Sequence, residues 1–190
     1  QAEDGIRDSV ASRGLGDVYK RQVMVDGVKR KSLHHGIGLM DVIQLEGVKE
    51  IYRLVPMDGI LLKPIIINDT EKSKKLAQVK SKSTIKNGKT QIGFHDGRSL
   101  IDETDVSVGD TCVLQIPEQK ILEVIKLEKG INGLITRGVN AGKVGKIKEI
   151  KEGTFILPKR VNIIFEDRQI EIPANLVMPI GTDKPVIQIR

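Results

Sequence analysis

The chain contains no tryptophan, and its 190 residues include only two tyrosines, three phenylalanines and one cysteine. Each shortage closes off a class of function. With so few rings, platforms on which single-stranded bases stack are poorly supplied. The lone thiol, Cys112, permits neither an intrachain disulfide nor a cysteine-based zinc site, and it suits a reducing compartment. No stretch is apolar for long enough to cross a bilayer, and the N-terminal region lacks the apolar core of a signal peptide. The histidines are not arranged as metal ligands. His34 and His35 are adjacent, so on a strand they point to opposite faces, and His95 stands alone. Acidic residues lack the paired apolar settings that tune an acid against a base, and no Ser–His–Asp arrangement is suggested. No catalytic residue, metal, cofactor or small-molecule substrate is therefore expected.

What the chain does have is positive charge, and it is unevenly placed. Gln1–Gln22 follows neither a helical nor a strand period. Gln1–Asp8 match the in-frame translation of a short-read sequencing adapter, and Ser12–Gln22 match that of a transposase adapter. The expectation is that residues 1–22 are adapter-derived and disordered, and that the genuine protein begins at or before Val23. This segment carries four basic and four acidic residues, so the formal charge of +6 belongs to the remainder. Residues 129–190 hold eleven basic residues against six acidic ones, which leaves +1 for residues 23–128. A basic excess of this kind favours a polyanionic partner.

Most of the remaining chain reads as short strands and turns. VMVDGVKRK alternates at Val23 and Val25 before an Asp26–Gly27 turn. The β-branched runs that follow break at Gly47 and Asp58–Gly59, and Asn87–Gly88 and Asp96–Gly97 are the dipeptides that two-residue hairpin turns prefer. Two more strands flank Pro117–Glu118. One segment alone predicts a helix: NDTEKSKKLAQV, capped by Asn68 or Asp69 with Glu71 near its start. Many short strands with frequent glycine point to small β-barrels.

The most informative segment is LITRGVNAGKVGKIKEI, residues 134–150. Gly138, Gly142 and Gly145 punctuate a strand–turn–strand, and Lys143, Lys146 and Lys148 flank its turn. Glycine permits positive φ and close approach to another surface. Lysines beside it suit phosphate contact, and they equally suit an ordinary hairpin with solvated charges. The run AGKV is not a nucleotide-binding P-loop. Three residues rather than four separate Gly138 from Gly142, and Val144 follows the lysine instead of Ser or Thr.

This segment resembles the KOW motif, a hairpin of small SH3-like barrels in ribosomal proteins and transcription factors. VMVDGVKRK followed by GIGLMDVIQL is similar to the end of an S-four-type RNA-binding motif. FHDGRSLI, VGDTCVLQIPEQKIL, GVNAGKVGKI and PIGTDKPVIQIR resemble, in the same order, the archaeal and eukaryotic small-subunit ribosomal protein S-four-e family. The resemblance covers essentially all of 23–190. It implies a mainly β chain: the end of the S-four-type motif at 23–46, a central β-rich, barrel-like domain at 47–128 and an SH3-like KOW barrel at 129–190. Val23–Gly27 match only the closing strand and turn of the first motif. The absence of the extra C-terminal segment of eukaryotic members points to an archaeal source.

The resemblance further implies a cytoplasmic structural constituent of the small ribosomal subunit, without enzymatic activity, whose partners are small-subunit rRNA and neighbouring ribosomal proteins. The candidate RNA contacts are Arg137, Asn140, Lys143, Lys146 and Lys148 in the KOW segment, and Lys29, Arg30 and Lys31 after the first turn. Lys82, Lys86 and Arg98 complete the set, drawn from a basic region at 72–98 opposed only by Asp96. The acidic stretch 102–128 is expected to face away from phosphate. The alternative is a KOW-containing transcription or translation factor that acts mainly by protein–protein contact.

Overall fold

The computed structural model describes residues 23–190 apart from Leu33, Gly59, Glu166, Asp167, Asp183, Lys184 and Arg190. The expectation for residues 1–22 lies outside the described residues. Among the described residues the chain is almost entirely β, as the strand-and-turn pattern predicts, and forms three antiparallel five-stranded sheets.

The first sheet contains β1 (Val23–Val25), β2 (Val28–Arg30), β3 (Val42–Leu45), β4 (Ile51–Met57) and β5 (Ile60–Ile67), in the order β2-β1-β3-β4-β5. Asp26 and Gly27 both adopt positive φ, 52° and 75°, and join β1 to β2 as a two-residue hairpin turn. That geometry matches the twist of the strands it connects. Positions 46 and 47, where a boundary is expected, lie in the connection between β3 and β4, which pair with each other.

The second sheet contains β6 (Lys74–Thr84), β7 (Thr90–Phe94), β8 (Ser99–Ile101), β9 (Thr111–Gln115) and β10 (Lys120–Ile125), ordered β10-β9-β6-β7-β8. Here the predicted helix is overturned. Only Asp69–Glu71 make a short 3-10 turn, and Lys74 onward form the longest strand of the fold. The helix-forming residues Lys, Leu, Ala and Gln offer only a weak local preference. Pairing outweighs it: Lys74–Gln78 bond to β9, and Val79–Thr84 bond to β7. Lys75 through Val79 are all buried, so packing covers both faces of the strand. The Asn87–Gly88 turn also differs from expectation. It belongs to a longer loop with a 3-10 turn at Lys86–Gly88, closed by the Ile85 N–H donating to the Lys89 carbonyl at 2.8 Å.

The third sheet contains β11 (Asn132–Ile135), β12 (Val144–Lys151), β13 (Arg160–Phe165), β14 (Arg168–Pro173) and β15 (Val177–Gly181), ordered β14-β13-β12-β11-β15. Register shifts in β12/β13, β11/β15, β6/β7, β9/β10 and β4/β5 mark bulges, which bend strands and curl sheets.

One apolar core ties the sheets together. Met40 and Val55 from the first sheet region meet Leu76, Val113 and Ile125 from the second and Leu134, Met178 and Ile180 from the third. Ile187 and Ile189, beyond the last strand, complete this cluster. Smaller clusters fill the second sheet around Ile92 and Phe94 and the third around Ile147 and Ile163.

Candidate nucleic-acid interface

The β11–β12 turn and the outer face of β12 carry the segment singled out by its glycines. Lys146 and Lys148 are exposed while Gly145 before them and Ile147 between them are buried, as strand alternation requires. Lys146 lies opposite Ile164 of β13, which lies opposite Gln169 of β14, so the three share one outward face. Lys148 reaches Gln169 at 3.4 Å. Lys143 is more constrained. Its ammonium donates to Asn140 Oδ1 at 3.1 Å and lies 4.9 Å from the centre of the Phe165 ring. Arg137 is exposed at the start of the turn.

The three glycines have different reasons to be glycine. Gly138 has φ +92° with open space beside it. Gly142 has φ +82°, and a Cβ there would lie 2.4 Å from the Pro56 carbonyl oxygen of β4. Its close approach is therefore to the first sheet of the same chain. Gly145 packs against Ile163 and Ile164, where a Cβ would sit 2.4 Å from the Ile163 side chain.

The remaining candidates are dispersed. Lys29 and Lys31 are exposed and Arg30 is half-buried at the edge strand β2. Lys86 stands at the tip of the β6–β7 loop. Lys82 donates to the Val106 carbonyl at 3.0 Å and lies 4.0 Å from Asp105. Arg98 is placed among acids, paired with Asp26 and 3.3 Å from Asp96. Of the acidic stretch, Asp110 is buried and accepts from the Ser107 and Leu127 N–H groups, so it braces a loop.

Sequence reasoning missed the buried ions. The Lys75 ammonium, with no exposed side-chain surface, contacts Asp26 at 2.8 Å, Asp41 at 2.5 Å and Asp96 at 2.9 Å. Burial alone would push it down, but the charges and hydrogen bonds of Asp26 and Asp41 outweigh that and hold it above its ordinary value. Burial likewise opposes ionisation of Asp96, and the Lys75 charge and hydrogen bond overcome it, holding that carboxyl below its ordinary value. Arg53 is equally buried. It donates to the Glu71 carboxylate at 2.7 Å, to the Gln188 carbonyl at 3.1 Å and to the Lys74 carbonyl at 3.0 Å. His95 accepts from the Gln78 N–H at Nδ1, so its Nε2–H donates to the Leu39 carbonyl at 3.1 Å. Burial pushes this imidazole below its ordinary value, consistent with a neutral ring. The available signal for Lys75 was a lysine heading the run Leu76–Val79 with no place on a polar face.

Three curled sheets, joined by buried ions and faced with cations such as Lys29, Lys86, Arg137 and Lys146 that have no acidic partner among the described residues, define a cation-faced β scaffold. The comparisons with known proteins agree with that class. The family model for ribosomal family S4e matches residues 48–121. Small ribosomal subunit protein eS4 of Methanosphaera stadtmanae is 38% identical over 169 residues, covering 88% of this chain and 69% of that protein. The eS4 protein of Methanothermobacter thermautotrophicus is 36% identical over 171 residues, covering 88% and 70%. The crystal structure of the 30S ribosomal protein S4e from Thermoplasma acidophilum superposes with a TM-score of 0.75 at 30% identity, covering 95% of this chain and 91% of that one. The chain belongs to ribosomal family S4e.

Proposed function

We propose that the chain is a structural constituent of the small ribosomal subunit, in the cytoplasm, that binds rRNA by its surface cations and packs against neighbouring ribosomal proteins without catalysing a reaction. Family membership supports the ribosomal role. The observation that carries the binding mode is the division of the basic residues into two sets. Lys75, Arg53 and Arg98 are neutralised internally, whereas Lys29, Lys31, Lys86, Arg137 and Lys146 meet no carboxylate among the described residues. Exposed cations without internal partners are free to displace counterions from phosphate. The scarcity of rings in the sequence, with Phe155 the fully exposed one among the described residues, favours backbone and shape recognition over base stacking.

Within this reading the third sheet, the expected KOW module, supplies Arg137, Lys143, Lys146 and Lys148, with Asn140 orienting Lys143. Lys29, Arg30 and Lys31 form a second contact, and Lys82 and Lys86 a third. Arg98 acts through the buried ions it joins.

The salt dependence of binding to a small-subunit rRNA fragment tests the proposal. Replacing Lys143 and Lys146 together with Gln is expected to weaken binding across RNA sequences and to lower the salt slope by about 1.5, given roughly 0.7–0.9 per phosphate contact. Unchanged affinity at low salt would remove these two residues from the interface. No RNA affinity in the parent chain would favour a factor that works through protein contacts.

A further inference from the structure

Where the three sheets meet, a cleft of about 400 Å³ opens between the loop before β3, strands β5 and β6, and the turn before β15. One side is cationic. Lys80 and Arg137 both line it without a carboxylate partner among the described residues, and the one carboxylate in the lining, Asp96, is taken up by Lys75 at 2.9 Å and Arg98 at 3.3 Å. The Lys80 ammonium uses one donor on the Asn175 carbonyl at 2.9 Å and keeps others free. Burial, and then the neighbouring Arg137 charge, push that ammonium below its ordinary value. The other side is apolar and uncovered. Leu61 is 81% exposed and Ile37 50% exposed, with Leu62 and Leu176 behind them.

Like charges held side by side repel until an anion joins them, and exposed leucines gain only when an apolar surface covers them. A phosphate joined to a flat, weakly polar ring answers both demands at once. The wall is also fixed in advance. The His95 Nε2–H holds the Leu39 carbonyl, and the Asp41 carboxylate accepts the Gly38 N–H at 2.7 Å. A preformed site loses little ordering entropy on binding.

We propose that this cleft holds one unstacked nucleotide of the bound RNA, with its phosphate against Lys80 and Arg137 and its base against Leu61, Ile37 and Leu176. Resting on the RNA-binding reading above, the site adds to it a single-nucleotide position between the sheets. The leucine wall takes the place of the aromatic platform that the composition lacks.

Methyl and amide NMR shifts of the full chain, followed while uridine 5′-monophosphate, uridine or inorganic phosphate is added at low salt, test the assignment. The monophosphate is expected to shift Leu61, Leu62 and Leu176 saturably, and each of the other two to bind more weakly. Arg137→Gln, at an exposed position, should weaken monophosphate binding by roughly tenfold, the scale of one charged hydrogen bond. Leu61→Ser should weaken it several-fold without altering the response to inorganic phosphate. Inorganic phosphate binding as tightly as the nucleotide reduces the cleft to an anion site and overturns the proposal. So does an absence of saturable shifts in the cleft, or an apolar peptide that occupies it in preference to the nucleotide. If rRNA binding keeps its salt slope while the nucleotide fails to bind, only the cleft assignment falls. If the nucleotide binds and rRNA does not, the RNA-binding reading falls, and the cleft assignment that rests on it falls with it.

Discussion

Replacing Lys75 with Met should be among the most damaging single changes in this chain. The side chain has no exposed surface, and its ammonium faces three carboxylates, Asp26, Asp41 and Asp96, at 2.5–2.9 Å. Arg98 is the second cation of the group and touches Asp26 and Asp96. Five ions with a net charge of −1 would become four with a net charge of −2. Asp41, 9% exposed at its side chain, would lose the one cation it contacts among the described residues. Breaking a buried pair leaves an uncompensated charge and costs about 3–5 kcal/mol. For a chain of this size that is a fall in Tm of roughly 10 °C. Urea unfolding at pH 7 should show a lower midpoint with an unchanged slope.

The pH dependence gives a second reading. In the parent, Asp96 is held below its ordinary 3.8, so its contribution is present above that value and is lost as pH falls through the folded value. Lys75 is held above its ordinary 10.5, so its contribution is present below that value and is lost as pH rises through the folded one. Between them the contribution is flat. In Lys75→Met, burial acts on Asp96 without its principal partner, and protonation relieves the repulsion. The deficit should therefore narrow between pH 7 and pH 4. A variant within about 1 kcal/mol of the parent at pH 7, or a deficit that widens on acidification, would refute this account of the cluster.

Other expectations follow from single contacts. Gly142→Ala should cost about 2–3 kcal/mol in denaturant unfolding, because positive φ and the clash with Pro56 add, whereas Gly138→Ala, with open space, should cost only about 1 kcal/mol. Equal losses at the two positions would dismiss the contact between the β11–β12 turn and β4. Cys112 is buried, and burial, helped by Asp110 and Asp102, pushes its thiol up to about 12. Ellman's reagent at pH 8 should label it slowly in the native chain and rapidly in urea, and fast native labelling would contradict that burial. Arg53→Met should cost about 3 kcal/mol and speed amide exchange at Gln188, whose N–H is held by Glu71 at 2.9 Å. Unchanged exchange there would detach Arg53 from the anchoring of the C-terminal segment.

Strand content and several turns were legible because period-two runs bounded by Gly dipeptides are local signals. The strand at Val23–Val25 and the turn at Asp26–Gly27 stand where the alternation and the Asp-Gly dipeptide place them. The stretch from Lys74 to Val79 misled because its helix-forming composition is local, while the strands it pairs with, Thr111–Gln115 for Lys74–Gln78 and Thr90–Phe94 from Val79 onward, come later in the chain. The surface lysines of the third sheet could be named from their spacing around Gly142 and Gly145. The internal role of Lys75 and Arg98 could not, since the acids that neutralise them lie as far as 72 residues away in sequence. The cleft was invisible for the same reason, being assembled from Ile37, Leu61, Lys80, Arg137 and Leu176.

Ile187 and Ile189 occupy the shared core, and Gln188 is clasped between Arg53 and Glu71. Translation delivers residues in order, so these three leave the exit tunnel of the ribosome making the chain after every strand they pack against. Until then the earlier sheets can pair their strands, but the pocket meant for the two isoleucines stays wet and Arg53 lacks one of its acceptors. Closure of the shared core thus waits for Ile187 and Ile189, and a nascent chain stalled before Ile187 presents an open apolar seam to whatever chaperone waits outside.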